Sequence, residues 1–550
     1  MPFIDARRFD RADIETDICI VGAGAAGIAM ACELAGTRLR VALMESGGFT
    51  FRHGPQLLYR GRNIGLPSFS IAKSRLRQFG GSTTQWAGQC RPLDPIDFET
   101  RDWIPRSGWP FGREVLDPYY SRAQQVCSLG PYDYRPEAWK DADDGPLPID
   151  SADLEARIYQ FSQQTDFGIA YRDKLAKADN IDILLNTNLV EIETQPPARE
   201  ISGLRFTTLG GRKLAVRARA YVLACGGIEN PRLLLASNRV AKRGIGNDHD
   251  LVGRHFMDHP FFFLGAFEPA ESRFDRSFHV IEKYGVLRVN AAFGLTEKRQ
   301  REERLNGASV YFIRRARSKT FGSYFSPGGV AFARLIELAR HSELPDGRMW
   351  RDIINATKGL SAVAATVARQ AREAVRPDPV LVLRATLEPT PQPDSRIMLD
   401  EARDRLGMPR AKVDWRMSAD DRRGLDRLLN LMRTELPRMG LGKISDETTT
   451  REDGWHASMS GGKHHMGTTR MHADPRCGVV DPDCRVHGIS NLFIAGSSVF
   501  PTTGYANPTL TIVALALRLA DYLKVAVQPA SKHKLPRLIH PKCAQSALPG

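Results

Sequence analysis

The sequence lacks most of the features that would assign a class at once. No run of about 18 uncharged apolar residues occurs, so no membrane-spanning helix is expected. The opening stretch MPFIDARRFDRADIETD carries no apolar core of the secretory kind, and a cytoplasmic location is the expectation. Eight cysteines stand at 19, 32, 90, 127, 225, 477, 484 and 543, with no CxxC pair and no histidine at zinc-ligand spacing. They read as reduced, mostly buried thiols, and no metal site is expected. There is no internal repeat, and no nucleic-acid-binding motif accompanies the basic residues.

What is present is ordinary globular composition with a basic balance. Over 550 residues, 42% are hydrophobic and 25% charged. That is more chain than one core usually serves, which predicts two domains, intertwined in sequence. The formal charge of +14 is spread along the chain and is largely arginine. Its densest stretches are Arg314, Arg315, Arg317 and Lys319, and the segment from Lys532 to Lys542. Most of this reads as solvated surface; an acidic partner or an anionic substrate is the sharper alternative.

Residues 17–22, DICIVG, are apolar and β-branched and stop at glycine, which predicts a buried strand. A small-residue helix, IAMACELAG, and a second strand, RVALMES, complete a βαβ unit. Residues 117–126 and 152–178 read as helical, and 181–225 as strands. Strand-like pieces (FFFLGAF, VLRVNAAFG, PVLVLRATLEP) then surround a helical insert at about 330–376. Within it, residues 353–375 read as an amphipathic helix whose role is packing, with a docking face as the alternative. NLFIAGS (491–497) reads as a strand, Thr509 to Leu523 as an apolar helix, and the last ~25 residues as a loose tail.

Between the first strand and its helix stands Gly22-Ala-Gly24-Ala25-Ala26-Gly27. Gly22 permits the tight turn, Gly24 lets a pyrophosphate approach the backbone, and Gly27 lets helix and strand pack closely. The helix N-terminus offers free N–H groups to phosphate. Glu45, followed by Ser46, ends the next strand, where a carboxylate can accept bonds from a ribose diol. The motif alone does not separate FAD from NAD.

Further stretches do. RQFGGSTTQW (77–86), CGGIENPRLLLAS (225–237), LVGRHFMDHP (251–260), HHMGTTRM (464–471) and GVVDPDCRVHGISNLFIAGSSVFPTTGYANPTLT (478–511) stand in one order. In that order the chain resembles the glucose-methanol-choline (GMC) oxidoreductases, and within them the branch of pyranose oxidases and fructose dehydrogenases. The resemblance covers roughly 14–260 and 455–525 and is weak between. It implies an α/β fold: a Rossmann-type FAD-binding domain intertwined with an α+β substrate domain built on an antiparallel sheet. The expected boundaries are 14–150, 181–260 and 455–525 for the FAD domain, 151–180 and 261–454 for the substrate domain, and 526–550 for a basic, flexible tail.

The resemblance also implies site residues. His464 falls on the family's H-x-x-G-T pattern and is the expected general base; His465, one step out of register, ranks second. Asn507, in the NPT segment, is the expected partner, and Tyr505 a candidate substrate contact. His259, in FMDHP, reads as structural, as do His472 and His487. FAD is expected on Gly22, Gly24, Ala25, Ala26, Gly27, Glu45, Ser46, Gly80, Gly81, Ser82, Thr83, Thr84, Trp86, Val190, Ala224, Gly226, Gly496, Ser497, Asn507, Pro508 and Thr509. Where pyranose oxidases carry a flavin-linked histidine this sequence has Gln85, so FAD is expected to be non-covalent. Gly496 stands where the main branch often has Asp, so a ribityl contact from that side chain is absent.

The implied reaction is oxidation of an alcohol of a sugar, glycoside or polyol. A neutral imidazole takes the hydroxyl proton, hydride passes to flavin N5, and Asn507 orients the substrate. Asn507-Pro508-Thr509 reads as a helix opening with Pro508 at its first position, its positive end toward the flavin. Oxygen or another acceptor completes the cycle; oligomeric state is left open. Competing expectations are a lyase-like FAD protein without redox turnover, a flavin-carrying subunit of a larger complex and, more distantly, a nicotinamide dehydrogenase.

Overall fold

The computed structural model describes residues 3–66, 70–139, 149–270, 282–284, 287–316, 354, 357, 379–445, 450, 454–456 and 458–529. Among these, two large sheets organise the chain. The first runs in the order Phe3–Asp5, Ile181–Leu185, Val41–Met44, Asp13–Val21, Lys213–Leu223, Ile201–Thr207, Asn188–Thr194, with Leu492–Ile494 also on Lys213–Leu223. Its centre is parallel, and the last three strands form an antiparallel meander. The strand Asp13–Val21 is buried at six consecutive positions, 16–21. A parallel strand covered on both faces is expected to read as such an apolar run. The helices Ala25–Leu34 and Thr509–Ala526 pack on each other against this sheet.

The second sheet is antiparallel, in the order Gly442–Ile444, Pro260–Pro269, Pro379–Leu387, Ala308–Ala316, Leu287–Leu295, Leu154–Phe161, Gln89–Cys90. Side chains alternate between its faces. Phe262, Leu264, Val310, Phe312, Leu383 and Ala385 lie on one face, against Leu425, Leu428, Met432 and Leu436 of the helix Ala419–Arg438. Each such aliphatic side chain contributes about 1.5–3 kcal/mol on burial. The helix starts at a capping box, in which Ser418 and Asp421 bond each other's backbone N–H. The opposite face carries Tyr159, Phe261, Phe263, Tyr311 and Arg384, and Tyr505 packs there from the first domain's side.

The helical reading of 152–178 is corrected. Leu154–Phe161 is a strand that pairs along its whole length with Leu287–Leu295, and only Phe167–Ala170 and Arg172–Lys177 are helical. Long-range pairing outweighs the local helix preference of LEAR. Those two short helices pack on Ala25–Leu34, so they join the first domain's side instead of the second. The strand expectations DICIVG (17–22), FFFLGAF (261–267), VLRVNAAFG (286–294) and PVLVLRATLEP (379–389) fall on the strands Asp13–Val21, Pro260–Pro269, Leu287–Leu295 and Pro379–Leu387. The helical insert, the amphipathic stretch 353–375 and the tail from 530 lie outside the described residues, apart from Ile354 and Thr357. Among the described residues no helix is long and apolar enough to cross a membrane.

Candidate active site

Glu45 fixes the glycine-rich turn. Its carboxylate accepts from Ala23 N at 2.9 Å and Gly47 N at 2.8 Å, and from the Ser46 hydroxyl at 3.3 Å. Burial raises its pKa, against the pull of those bonds. Gly22 has φ +103°, and a Cβ there would stand 2.7 Å from Ala224 O. A Cβ on Gly27 would collide with Gly22 O. Gly24 differs: a Cβ there would meet nothing within 4 Å, and the same holds at Gly226 and Gly496. These three glycines come from three separate segments and all face open space. A Cβ on Gly81 would stand 2.9 Å from Gly24 Cα, so the 80–84 turn approaches the fingerprint loop closely. The geometry is a slot with bare backbone on its walls, which fits a dinucleotide.

The 80–84 turn is held by its own hydroxyls. Thr83 Oγ1 donates to Gly80 O at 2.7 Å and accepts from Phe167 N at 3.1 Å; Thr84 Oγ1 donates to Gly81 O at 3.0 Å. Trp86 is half-buried, with its Nε1–H on Thr165 O at 2.6 Å. Ser82 and Gln85 are exposed. Val190 is half-buried in the meander, and Ala224 N donates to Val21 O at 2.8 Å. Ser497 Oγ donates to His465 O at 2.7 Å, joining the two C-terminal motifs.

Two histidines face each other across 205 residues of sequence. His259 Nδ1 and His464 Nδ1 are 2.9 Å apart, and His259 Nε2 is 2.9 Å from Gly504 O. A carbonyl oxygen only accepts, so His259 Nε2 carries a proton. In a neutral His259, Nδ1 is then a lone pair, and His464 Nδ1 must donate to it. His464 Nε2 is thereby left unprotonated. Burial holds both rings neutral: it lowers His259 to about 4 and His464 well below the usual imidazole value, with His259, His465 and Arg384 adding to the latter effect. The backbone of His464 is pinned by Asp258, whose carboxylate accepts from His464 N at 2.7 Å and Lys463 N at 3.1 Å. Burial raises Asp258 to about 7.

The carbonyl that orients His259 is itself fixed. Gly504 N donates to Glu388 Oε1 at 3.3 Å, and Glu388 makes a bidentate pair with Arg101 at 2.6 and 2.8 Å, both side chains fully buried. Gly504 has φ +52°, and a Cβ there would collide with Asp97. Burial, reinforced by Glu388 and Asp94, raises the Asp97 carboxyl to about 8.

Tyr505 donates to Asp94 Oδ2 at 2.5 Å and is buried beside Tyr159 and Tyr311. Its hydroxyl is therefore committed to a carboxylate. Asn507 is half-buried, and its amide has no hydrogen-bond partner among the described residues. The helix opening is shifted by one from expectation. It spans Thr509–Ala526 with Pro508 at the N-cap and no side-chain cap. Pro508 already accepts from Ile512 N, so its own carbonyl begins the helix. His465 points elsewhere: its ring stacks on Phe256 at 5.9 Å, and burial lowers it to about 3.

The structure thus joins His464 to the 504–507 segment through His259, a residue the sequence reading treated as structural. It also places Arg384 near His464. The one signal for Arg384 was a lone charge inside the apolar strand VLVLRATL, a rare placement for an unpaired arginine.

Family models described as GMC oxidoreductase match residues 163–261 and 391–516. The chain is 23% identical to the fructose dehydrogenase large subunit of Gluconobacter japonicus, over 92% of this chain and 97% of that one. It is 24% identical to paromamine 6'-oxidase of Streptomyces fradiae, over 94% and 92%. Among solved structures it is similar to formate oxidase of Aspergillus oryzae RIB40, a study of FAD modification, with TM-score 0.56, 16% identity and coverage of 94% and 99%.

Proposed function

Because the chain belongs to the GMC oxidoreductases, we propose that it oxidises an alcohol group of a sugar, glycoside or polyol, with His464 as base and Asn507 as orienting amide. It is an FAD-dependent oxidoreductase acting on CH–OH donors. Bound FAD accepts the two electrons and the hydrogen that leave carbon. The chain's own residues do the rest. The bare backbone at Gly24, Gly226 and Gly496 leaves room for the dinucleotide. The first turn of Thr509–Ala526, free of acidic residues, presents its positive end to the ligand.

The observation that carries the reading is the tautomer chain Gly504 O, His259, His464. It leaves a lone pair on His464 Nε2, the form a general base requires. When Nε2 takes the hydroxyl proton, the ring becomes a cation whose Nδ1–H still donates to His259. Asn507, with an amide uncommitted to the described residues, donates to the substrate oxygen and holds the carbinol in place. FAD is non-covalent in this reading, since Gln85 offers no nucleophile for a flavin bond.

The test is anaerobic bleaching of the purified protein's flavin absorbance against sugars, glycosides, polyols and simple alcohols, followed by air. Bleaching by a polyhydroxylated class supports the reading, and the speed of recolouring separates oxidase from dehydrogenase. A spectrum that stays yellow with every compound sinks it and favours a flavoprotein without redox turnover.

A further inference from the structure

The sheet face opposite the core carries a cation with no counter-charge among the described residues. Arg384 lies in register with Tyr311 on one neighbouring strand and Phe263 on the other. Its guanidinium carbon stands 3.7 Å over the ring of Phe261 and 5.5 Å from that of Tyr311. Phe261 in turn meets His464 edge-on, with centroids 5.9 Å apart. The guanidinium is therefore one aromatic ring away from the base.

Several buried arginines here are matched to carboxylates, although Arg470, which donates only to Arg106 O, is not. Arg101 pairs with Glu388, Arg232 with Glu229 and Asp404, and Arg91 with Asp94. Arg384 has no carboxylate and no hydrogen-bond acceptor among the described residues, and its Nε is buried without a partner. Removing a charge from water without a partner is unfavourable. The aromatic rings hold its plane and leave its N–H edge for a ligand. Asn290 Oδ1, two strands away in the same sheet, is also buried without a partner.

We propose that Arg384 is the anion-recognising residue of the substrate pocket, and that the substrate is a hydroxy compound bearing a carboxylate, such as a uronic acid or its glycoside. This rests on the alcohol-oxidation reading above. A single guanidinium fork matches a single carboxylate bidentately and positions the neighbouring carbinols against His464. A phosphate would draw a cluster of cations; the next arginine on this face without an ion pair among the described residues, Arg288, lies two strands away over Phe161.

The experiment compares matched pairs in anaerobic flavin bleaching at fixed ionic strength: methyl β-D-glucuronide against methyl β-D-glucoside, and galacturonate against galactose. The expected result is a kcat/KM roughly 10-fold or more higher for each acid, the scale of one charge-assisted hydrogen bond. Arg384→Gln should bring the acid-to-neutral ratio near one, with Arg384→Lys between. Neutral sugars reacting as fast as the acids, or a preference that survives R384Q, overturns the proposal while leaving alcohol oxidation standing. If no compound bleaches the flavin, alcohol oxidation of these sugars fails, and binding still decides the proposal. Glucuronide should then perturb the oxidised flavin spectrum with a Kd roughly 10-fold weaker in R384Q. A Kd indifferent to the substitution, or no perturbation, overturns it.

Discussion

His259 Nδ1 sits 2.9 Å from His464 Nδ1 and dictates which nitrogen of His464 is basic. The direction of that bond follows from the Gly504 carbonyl on the far side of His259, which accepts and cannot donate. A residue of the FMDHP segment thus sets the tautomer of one in HHMGTTRM.

His464→Ala is expected to fold and keep yellow FAD while losing flavin reduction by alcohol at least ~100-fold, the scale of a general base. Stopped-flow bleaching under argon measures it. A nearly unchanged rate removes His464 from the chemistry.

His259 acts through His464, so its substitution should change rate and not flavin content. His259→Leu lets His464 carry its proton on either nitrogen, and reduction should slow by about 10–100-fold with little change in KM. His259→Gln restores both an acceptor and a donor and should recover part of that loss. Equal rates for the two variants would assign His259 to packing alone.

The pH profile should be unusual for a histidine base. The folded pKa of His464 is depressed by burial, next by His259, and then by His465 and Arg384. The neutral, competent form is therefore present above that lowered value and is lost only as pH falls through it. His259, at about 4, keeps its acceptor nitrogen over the same range. In Asp258→Asn, which removes the neighbouring carboxyl raised to about 7, flavin reduction at pH 5.5 is expected within roughly 2-fold of that at pH 7.5; an acid limb centred near the ordinary imidazole value of about 6.5 in that variant would contradict the burial argument.

Two glycines three residues apart, Gly24 and Gly27, should fail differently. Gly24→Ala adds a methyl that meets no protein atom within 4 Å, so the apoprotein should melt normally while FAD affinity falls. Gly27→Ala drives a methyl into Gly22 O and should lower Tm whether or not FAD is present. Differential scanning with and without added FAD tells them apart, and a Gly24→Ala protein that binds FAD normally argues against the slot.

On the proposed non-covalent reading, which rests on Gln85, acid precipitation should release all of the FAD into the supernatant. Yellow colour retained in the washed pellet would count against the non-covalent assignment.

Much of the nucleotide unit was legible in the sequence because its signals are local. Gly22, Gly24 and Gly27 act within one turn, and the carboxylate that braces them lies at the end of the adjacent strand. His464 was legible through its motif. His259 was not, because its role exists only once Pro260–Pro269 brings it against a residue 205 positions away. Arg101 and Glu388, separated by 287 positions, were invisible for the same reason. Leu154–Phe161 was misread because its partner strand, not its own composition, decides its shape. Tyr505 stands two positions before Asn507 in the sequence, but the Asp94 that takes its hydroxyl could not be foreseen.

The two-residue alternation of the antiparallel sheet separates what a mutation can reach. Phe262, Leu383 and Phe312 answer to the core, while Phe261, Arg384 and Tyr311, their immediate neighbours in sequence, lie on the opposite face, toward His464 and Tyr505. Substitutions at alternate positions on these strands can therefore change one face while leaving the packing of the other in place. Such a scaffold is well suited to diversification, since adjacent codons are read by different selective pressures.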